Sequence, residues 1–163
     1  MLIGGPHVFL GYYKNEESTR ETLDAQGWIH SGDVGEIDGE GFLRITDRKK
    51  ELIITAGGKN IAPQYLEGQL KQIPAVSQAV AIGDRRPYVV ALVTLDPARL
   101  LAEAAKAGSP ARTPEEAARC SKFKAYLDKQ VEALNERLAR YETIKRVAVL
   151  PRELTVEAGE LTP

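Results

Sequence analysis

The chain has 163 residues, enough for one ordinary domain or for one small domain and part of another. Hydrophobic residues make up 43% and charged residues 28%, a balance typical of globular rather than disordered proteins. The 22 Lys and Arg residues against 23 Asp and Glu residues give a net charge of −1, which argues against a general nucleic-acid-binding protein but allows a local basic site for phosphates.

Cysteine content and hydropathy limit location and chemistry. Cys120 is the only cysteine, so no internal disulfide is possible and a reducing, cytoplasmic location fits best. No apolar run reaches the roughly 20 residues of a membrane span, and the first residues lack the apolar core of a signal peptide. His7 and His30 lie far apart and have no metal-ligand spacing with Cys120, so we predict no metal site.

Strands and turns dominate the first part of the sequence. The sequence of residues 16–23 predicts one short helix. Two short strands follow, at 34–37 and 42–45, and the acidic, glycine-rich segment 38–41 between them is typical of a hairpin loop. The pattern then changes at the charge run 47–50, which we interpret as the junction between two units.

The second unit begins with a hairpin-like segment and a helix. A short strand at 51–55 is followed by the tight loop 56–59. Pro63 then occupies a favourable first position for a helix that runs to about Gln72.

The remaining pattern predicts a sheet with helices on one face. Two runs dense in Val, Ile and Leu, 76–82 and 88–95, are the strongest strands, and 145–150 is the last. Helices are predicted after Asp96 and after the capping box 113–116, the second of them long. The long helix carries an apolar stripe with spacings of four and three, formed by Leu127, Val131, Leu134, Leu138 and Tyr141. This predicts a small α+β domain with a three-stranded sheet.

Asp33 and Arg48 have the chemistry to bind a nucleotide. Asp33 follows a glycine in a turn, where its carboxylate could accept two hydrogen bonds from the vicinal hydroxyls of a ribose, each worth roughly 1.5–3 kcal/mol in a dry site. On spacing alone, an Asp that closes its own turn is the simpler interpretation. Arg48 could grip a phosphate or a ribose, although a solvated charge run is again simpler.

Gly57 and Gly58 form a second candidate. Neither has a side chain, so the backbone could lie directly against a narrow ligand arm, but a simple tight turn explains the spacing equally well. Cys120 falls near the apolar side of its predicted helix, which favours a core position over a nucleophile. No glycine-rich phosphate loop ends in Lys-Ser or Lys-Thr here, so the main phosphate loop of an ATP-dependent enzyme would have to lie elsewhere.

Four motifs in a fixed order are more specific together than any one alone. They are Gly11–Asn15, Gly27–Asp33, Asp47–Ile54 and Gly57–Pro63. In this order and approximate spacing they resemble the adenylate-forming superfamily, which includes acyl-CoA synthetases, luciferases and the adenylation domains of peptide synthetases. The resemblance covers essentially the whole chain, and residues 134–146 and 154–163 are similar to the long-chain fatty acyl-CoA synthetases in particular.

The resemblance implies a two-step reaction. A fatty acid attacks ATP, which Mg²⁺ accompanies, to give an acyl-adenylate and pyrophosphate. The thiol of CoA then attacks the adenylate to give acyl-CoA and AMP. In this family a small C-terminal domain swings on a hinge between the two half-reactions. ATP, Mg²⁺ and CoA therefore belong to a longer parent enzyme, and we expect none of them bound to this chain alone.

The resemblance assigns the first set of residue roles. Asp33 matches the aspartate that holds the ribose hydroxyls of the adenylate, with Ser31 where threonine is more usual. Arg48 matches the arginine that contacts the nucleotide. Lys50, with Lys49 beside it, matches the hinge, where charged side chains stay solvated as the backbone turns.

The second set of roles concerns CoA. Gly57 and Gly58, with the adjacent Lys59, match the loop that lines the pantetheine tunnel, and Glu67 is expected to support that loop. The family's adenylating lysine lies in a basic segment beyond Pro163. The resemblance therefore assigns no catalytic residue to this chain.

The resemblance also predicts domains and partners. Residues 1–46 match the end of the large N-terminal domain, and 47–163 match the small mobile domain, truncated before the adenylating lysine. The parent's own N-terminal domain is then the main partner, fatty acid, ATP and CoA are the substrates, and nucleic acid is not a partner. We expect residues 1–46 to be loosely held without that domain, and exposed apolar surface could support an artificial dimer. The parent is expected in the cytoplasm, and a peripheral position at the inner membrane is compatible with it.

Three functions stay open at this point. The first is part of a long-chain fatty acid–CoA ligase that is inactive by itself. The second keeps the chemistry but transfers the acyl group to the phosphopantetheine of a carrier protein. The third is a stand-alone binding module derived from this domain. The fatty-acid pocket lies outside the chain, so the acyl chain length is not specified.

Overall fold

The computed structural model describes residues 1–162, in two compact units, the first Met1–Glu51 and the second beginning at Leu52. The elements of the first unit are β1 (Leu2–Ile3), α1 (Glu16–Thr22), β2 (Ile29–His30), β3 (Asp33–Ile37) and β4 (Leu43–Arg48). β1 pairs with β2, and β3 pairs with β4, both antiparallel. The helix and the β3–β4 pair agree with the sequence prediction, and the β1–β2 pair was not predicted.

Local side-chain hydrogen bonds fix the turns of the first unit. Asn15 caps α1, because its Oδ1 accepts from the backbone N–H of Ser18 at 3.0 Å. Asp38 Oδ1 accepts from the N–H groups of Glu40 and Phe42, each at 2.9 Å. This Asp-centred turn confirms the hairpin loop predicted between the two strands.

The first unit has no apolar core of its own. Within Met1–Glu51, Asp47 is the one fully buried residue. Several large apolar side chains instead lie mostly in solvent, namely Leu10, Tyr13, Ile37 and Phe42. A surface of this kind is typical of a segment that packs against another surface.

The second unit contains the sheet. Its elements are β5 (Ile53–Ile54), β6 (Asn60–Ile61), α2 (Pro63–Leu70), β7 (Val76–Ile82), β8 (Val89–Leu95), α3 (Leu100–Lys106), α4 (Pro114–Arg119), α5 (Ser121–Asn135) and β9 (Ile144–Val149). β5 and β6 form a small hairpin. The three-stranded sheet has the order β7-β8-β9, with β7 antiparallel and β9 parallel to β8. The predicted α+β class with a three-stranded sheet is confirmed.

The core of the second unit lies on one face of the sheet. Four residues at alternate positions of β8 are buried on this face, because successive side chains of a strand point to opposite faces, and Thr94 on the other face is buried as well. The four residues are Val89, Ala91, Val93 and Leu95. All four helices of the second unit add side chains to the main buried cluster, among them Leu70 of α2, Leu100 of α3, Ala117 of α4 and Phe123 of α5.

The long helix predicted after the capping box is interrupted. α4 ends at Arg119 and α5 begins at Ser121, with Cys120 between them in an extended conformation (φ −84°, ψ 116°). A continuous helix would not direct Ala117 and Phe123 to the same side, since six residues span about 600° at 3.6 residues per turn. The break lets both side chains enter the core, where each is almost completely buried.

Two further helix boundaries differ from the prediction. The apolar stripe is correct for Leu127, Val131 and Leu134, which are buried. Leu138 and Tyr141 lie beyond the end of α5, where Leu138 is partly buried against the core and Tyr141 is exposed. The helix after Asp96 begins only at Leu100. The Asp96 carboxylate accepts from the N–H of Ala98 at 2.8 Å and so closes a turn ahead of the helix.

A buried carboxylate joins α3 to α5. Glu103 accepts hydrogen bonds from Lys106 Nζ at 2.7 Å and from the hydroxyl of Tyr126. The bond from Lys106, followed by that from Tyr126, lowers the pKa of Glu103. Burial, followed by the neighbouring Glu103, raises the pKa of Tyr126 to about 12. Because both partners are satisfied, we interpret this cluster as structural.

Candidate functional site

Asp33 and Arg48, the two residues predicted to contact a nucleotide, are cross-strand neighbours. They lie opposite each other where β3 begins and β4 ends. Arg48 Nε lies 3.5 Å from Asp33 Oδ1. The Asp33 side chain is 22% exposed and that of Arg48 is 70% exposed. The hairpin therefore presents a carboxylate and a guanidinium together at one end, and both are accessible.

A β-bulge creates this pairing. The register from Ile37–Leu43 to Gly35–Ile45, if continued, would set Asp33 opposite Asp47. The irregularity between Val34 and Gly35 shifts the pairing by one residue. A bulge re-aims side chains in this way. It replaces a repulsive pair of carboxylates with an attractive pair of opposite charges.

Ser31 and main-chain atoms hold the turn before Asp33. The N–H of Asp33 donates to Ser31 Oγ at 3.1 Å, and the N–H of Lys49 donates to the carbonyl of Gly32 at 2.7 Å. Gly32 has a φ of +76°, which favours glycine. The bonds around this turn thus come from a hydroxyl and the backbone, while the Asp33 carboxylate lies beside Arg48.

Lys49 and Lys50, predicted as the hinge, lie in the turn directly after β4. Both are exposed. The turn includes a hydrogen bond from the N–H of Glu51 to the carbonyl of Arg48 at 3.0 Å. The predicted hinge therefore immediately precedes the boundary between the two units, which falls after Glu51.

Asp47 is a feature that sequence reasoning missed, because the charge run suggested solvent. It is 2% exposed. Its Oδ1 accepts from the N–H of Arg48 at 2.6 Å, whereas Oδ2 has no hydrogen-bond partner among residues 1–162. The bond to Arg48 fixes the backbone beside the Asp33–Arg48 pair.

The loop with Gly57 and Gly58 connects β5 to β6, and we call residues 55–59 the glycine loop. Thr55 closes it from both ends, because its N–H donates to the carbonyl of Lys59 at 3.0 Å and its Oγ1 accepts from the N–H of Lys59 at 3.1 Å. Gly58 N–H also donates to the carbonyl of Thr55, at 2.8 Å. The loop is therefore ordered by its own hydrogen bonds.

The two glycines have different requirements. Gly58 has a φ of +72°, a conformation that other residues rarely adopt. Gly57 has an ordinary φ, and a Cβ there would meet only Thr55 Oγ1, at 3.9 Å. A Cβ on Gly58 would meet nothing within 4 Å. Packing within the chain thus does not explain the lack of side chains, and the space above the loop is open.

Lys59 and Glu67 have partners within the second unit. Lys59 Nζ lies 5.8 Å from the centroid of the Tyr141 ring, a cation–π distance. Glu67 Oε1 accepts from the N–H of Ala81 at 2.9 Å and so ties α2 to β7. Direct support of the glycine loop by Glu67 stays a prediction, since this bond goes to the sheet.

Other site types find little support in the described structure. An open surface depression of about 440 Å³ lies beside Glu17, Arg20 and Glu21 of α1, none of which was predicted in a site. Within residues 1–162, no group of three or more His, Cys, Asp or Glu side chains is arranged to hold a metal ion. Over the same residues, no helix is long and apolar enough to cross a membrane.

Comparison with known proteins decides the family. The family described as the AMP-binding enzyme C-terminal domain matches residues 50–160. The chain belongs to this family. The match covers the whole three-stranded sheet and the glycine loop.

Curated relatives of this AMP-binding C-terminal domain are fatty-acid–CoA ligases. The long-chain-fatty-acid–CoA ligase FadD15 of Mycobacterium tuberculosis is 40% identical over 171 residues, which cover 100% of this chain and 27% of that protein. The long-chain-fatty-acid–CoA ligase ACSBG1 of Rattus norvegicus is 37% identical over 181 residues, which cover 100% of this chain and 25% of that protein. The chain thus spans about a quarter of these relatives, and its resemblance to long-chain fatty acyl-CoA synthetases is confirmed.

Solved structures with the same fold are adenylate-forming enzymes. The adenylation domain of a carboxylate reductase from Mycobacterium chelonae gives a TM-score of 0.71 with 27% identity, over 93% of this chain and 22% of that one. The O-succinylbenzoate CoA synthetase of Bacillus subtilis in complex with AMP gives 0.61 with 28% identity, over 93% and 26%.

Proposed function

We propose that this chain is the C-terminal part of an AMP-forming long-chain fatty acid–CoA ligase. The longer protein, here called the parent enzyme, would convert fatty acid, ATP and CoA to acyl-CoA, AMP and pyrophosphate. The observation that carries the proposal is the Asp33–Arg48 pair at the end of the β3–β4 hairpin, 3.5 Å apart and accessible. The ligase relatives that align along the entire chain give it its chemical direction.

In the first half-reaction, the hairpin pair holds the nucleotide. A carboxylate oxygen of the fatty acid attacks the α-phosphorus of MgATP, and pyrophosphate leaves. The Asp33 carboxylate accepts hydrogen bonds from the ribose hydroxyls, and the Arg48 guanidinium donates to the ribose or the phosphate. The hydrogen bonds of the turn before Asp33 come from Ser31 and the backbone, so the Asp33 carboxylate, which is paired with Arg48, is available to accept from the ligand beside that cation. These residues orient the substrate, and no residue of this chain is assigned to proton transfer.

In the second half-reaction, the glycine loop guides the thiol arm of CoA. The thiol of CoA loses its proton to solvent, its thiolate sulfur attacks the carbonyl carbon of the acyl-adenylate, the acyl–phosphate bond breaks, and AMP leaves. Gly57, Gly58 and Lys59 line the path of the pantetheine arm, and Glu67 supports this side of the domain through β7. The open space above both glycines supports this role, because a narrow thiol arm needs close approach to backbone.

A rotation at Lys49 and Lys50 separates the two steps. Its location is supported by the unit boundary after Glu51 and by the exposure of both lysines. The N-terminal domain of the parent enzyme supplies the remaining walls of each site. The missing apolar core of the first unit supports this dependence, and the chain alone is then inactive.

A carrier-protein acceptor is the second candidate. One structural neighbour is the adenylation–carrier didomain of a carboxylic acid reductase from Segniliparus rugosus in complex with AMP, with a TM-score of 0.65 and 29% identity. The same glycine loop would then guide a phosphopantetheine arm attached to protein. The two acceptors share the thiol chemistry and differ in what lies at the far end of the arm.

An acceptor assay with the parent enzyme tests the proposal. It would be supplied with ATP, saturated fatty acids of increasing length, and either CoA or a phosphopantetheinylated carrier protein. We expect acyl-CoA and AMP in equal amounts with CoA. Acylation of the carrier alone would favour the second candidate. Absence of fatty-acid-dependent pyrophosphate exchange into ATP, with an otherwise folded enzyme, would contradict the ligase function.

A further inference from the structure

The turn between β7 and β8 is hydrogen-bonded to the strand that enters the glycine loop. The N–H of Ile54 donates to Asp84 Oδ1 at 3.2 Å, and the N–H of Arg85 donates to the carbonyl of Ile54 at 2.8 Å. The N–H of Ala56 donates to the carbonyl of Arg86 at 2.9 Å. Three hydrogen bonds, two at Ile54 and one at Ala56, therefore join the entry of the loop to the turn.

The hairpin needs such a support. β5 and β6 contain two residues each, and a short two-stranded hairpin is marginally stable by itself. The turn also approaches the hairpin closely, since a Cβ on Gly83 would lie 3.1 Å from Ile53 Cγ2. The turn thus packs against β5, and its backbone helps to hold the hairpin that carries the glycine loop.

Asp84 is the turn residue whose side chain takes part. Its Oδ1 receives the Ile54 N–H, and its Oδ2 lies 3.6 Å from Arg85 Nε. Arg85 has a left-handed φ of 55°, and the bond from Arg86 N–H to the carbonyl of Gly83, at 2.9 Å, closes the turn. The carboxylate therefore links a specially shaped turn to the base of the loop.

We infer that Asp84 is a positioning residue for thioester formation. Its hydrogen bond to Ile54 holds the glycine loop in the position in which the loop can line the path of the thiol arm. The inference rests on the proposed function of that loop. Asp84 itself touches no substrate. Since Asp33 and Arg48 belong to the other unit, loss of the Asp84 bond should affect the second half-reaction and spare the first.

Hydrogen exchange on the 163-residue chain tests the positioning directly. In Asp84→Ala we expect the amides of Gly58 and Lys59, which do not bond to Asp84, to exchange about tenfold faster, as for loss of one hydrogen bond. Asp84→Asn keeps the Oδ1 acceptor, so its Gly58 and Lys59 amides should exchange as fast as those of the unsubstituted 163-residue chain.

Asp96→Ala is the matched control for a turn aspartate. Asp96 also accepts one backbone N–H, from Ala98 at 2.8 Å, and its Oδ2 lies 3.6 Å from Arg99 Nε. Its loss should leave exchange at Gly58 and Lys59 unchanged. Unchanged exchange at these amides in Asp84→Ala, or an equal increase in Asp96→Ala, would overturn the inference whatever the parent enzyme catalyses.

Half-reaction kinetics of the parent enzyme test the consequence. Asp84→Ala should raise the KM for CoA about tenfold and leave ATP–pyrophosphate exchange within about twofold of the starting value, with recovery in Asp84→Asn. An equal fall in both half-reactions would show a merely structural role and overturn the inference. A parent enzyme without CoA-dependent turnover would instead refute the ligase proposal, while the exchange experiment still decides the contact.

Discussion

Replacing Asp33 with alanine in the parent enzyme is expected to slow adenylate formation by about 100-fold or more, because two charge-assisted hydrogen bonds at roughly 1.5–3 kcal/mol each are lost. The fold should survive, since the partly exposed pair with Arg48 contributes about 1 kcal/mol to the free energy of unfolding. Fatty-acid-dependent pyrophosphate exchange into ATP measures the first half-reaction in isolation. Thermal unfolding of the same samples separates lost chemistry from lost structure.

Asp38→Ala provides the control within the same hairpin. Asp38 accepts two backbone N–H groups in the loop and was not predicted to contact a ligand. Its loss should reduce stability by about 1 kcal/mol and leave pyrophosphate exchange within about threefold. If Asp33→Ala were no worse than Asp38→Ala, Asp33 would be another structural aspartate, and the nucleotide assignment would be wrong.

Gly58→Ala should impair the second half-reaction and spare the first, the reverse of the effect expected for Asp33→Ala. The methyl group would project into the open space above the loop, and the φ of +72° would strain the backbone by roughly 1–2 kcal/mol. A displacement of about 1 Å at a reacting group can reduce the rate about 100-fold. We therefore expect thioester formation from preformed adenylate to fall about 100-fold, with pyrophosphate exchange within about twofold.

Gly108→Ala is the control for Gly58→Ala, because it also places a side chain on a residue with a positive φ. Gly108 follows α3 with a φ of +59°, and a Cβ there would also meet nothing within 4 Å. The two variants should lose similar stability, and only Gly58→Ala should lose thioester formation. Equal kinetic losses in both variants would mean that strain, and not obstruction of the thiol arm, explains the effect.

The hairpin shows how far the sequence determines a site. The loop at 38–41 and its flanking strands could be predicted, because turn residues and apolar alternation are local signals. The contact between Asp33 and Arg48 could not, since uninterrupted pairing sets Asp33 against Asp47 and the bulge after Val34 leaves no clear signal in the sequence. The burial of Asp47 was missed for a similar reason, because a charge run ordinarily indicates solvent.

The second unit shows the same limit at longer range. Dense apolar runs predicted β7 and β8, and Pro63 marked the start of α2. Nothing local marks the break at Cys120, where neither glycine nor proline occurs, although the break accompanies the burial of Phe123 one turn into α5. The bond between Ile54 and Asp84 joins residues 30 positions apart, so only the folded chain brings them together.

Calorimetric titration of the 163-residue chain with AMP and with CoA, beside the parent enzyme, tests the central claim that this chain holds only parts of two sites. We expect no measurable binding of AMP to the chain and at most millimolar binding of CoA, because the remaining walls of each site belong to the N-terminal domain of the parent. The parent enzyme should bind AMP measurably under the same conditions. Micromolar binding of AMP by the chain alone, abolished in Asp33→Ala, would contradict this account and indicate a self-sufficient nucleotide-binding module.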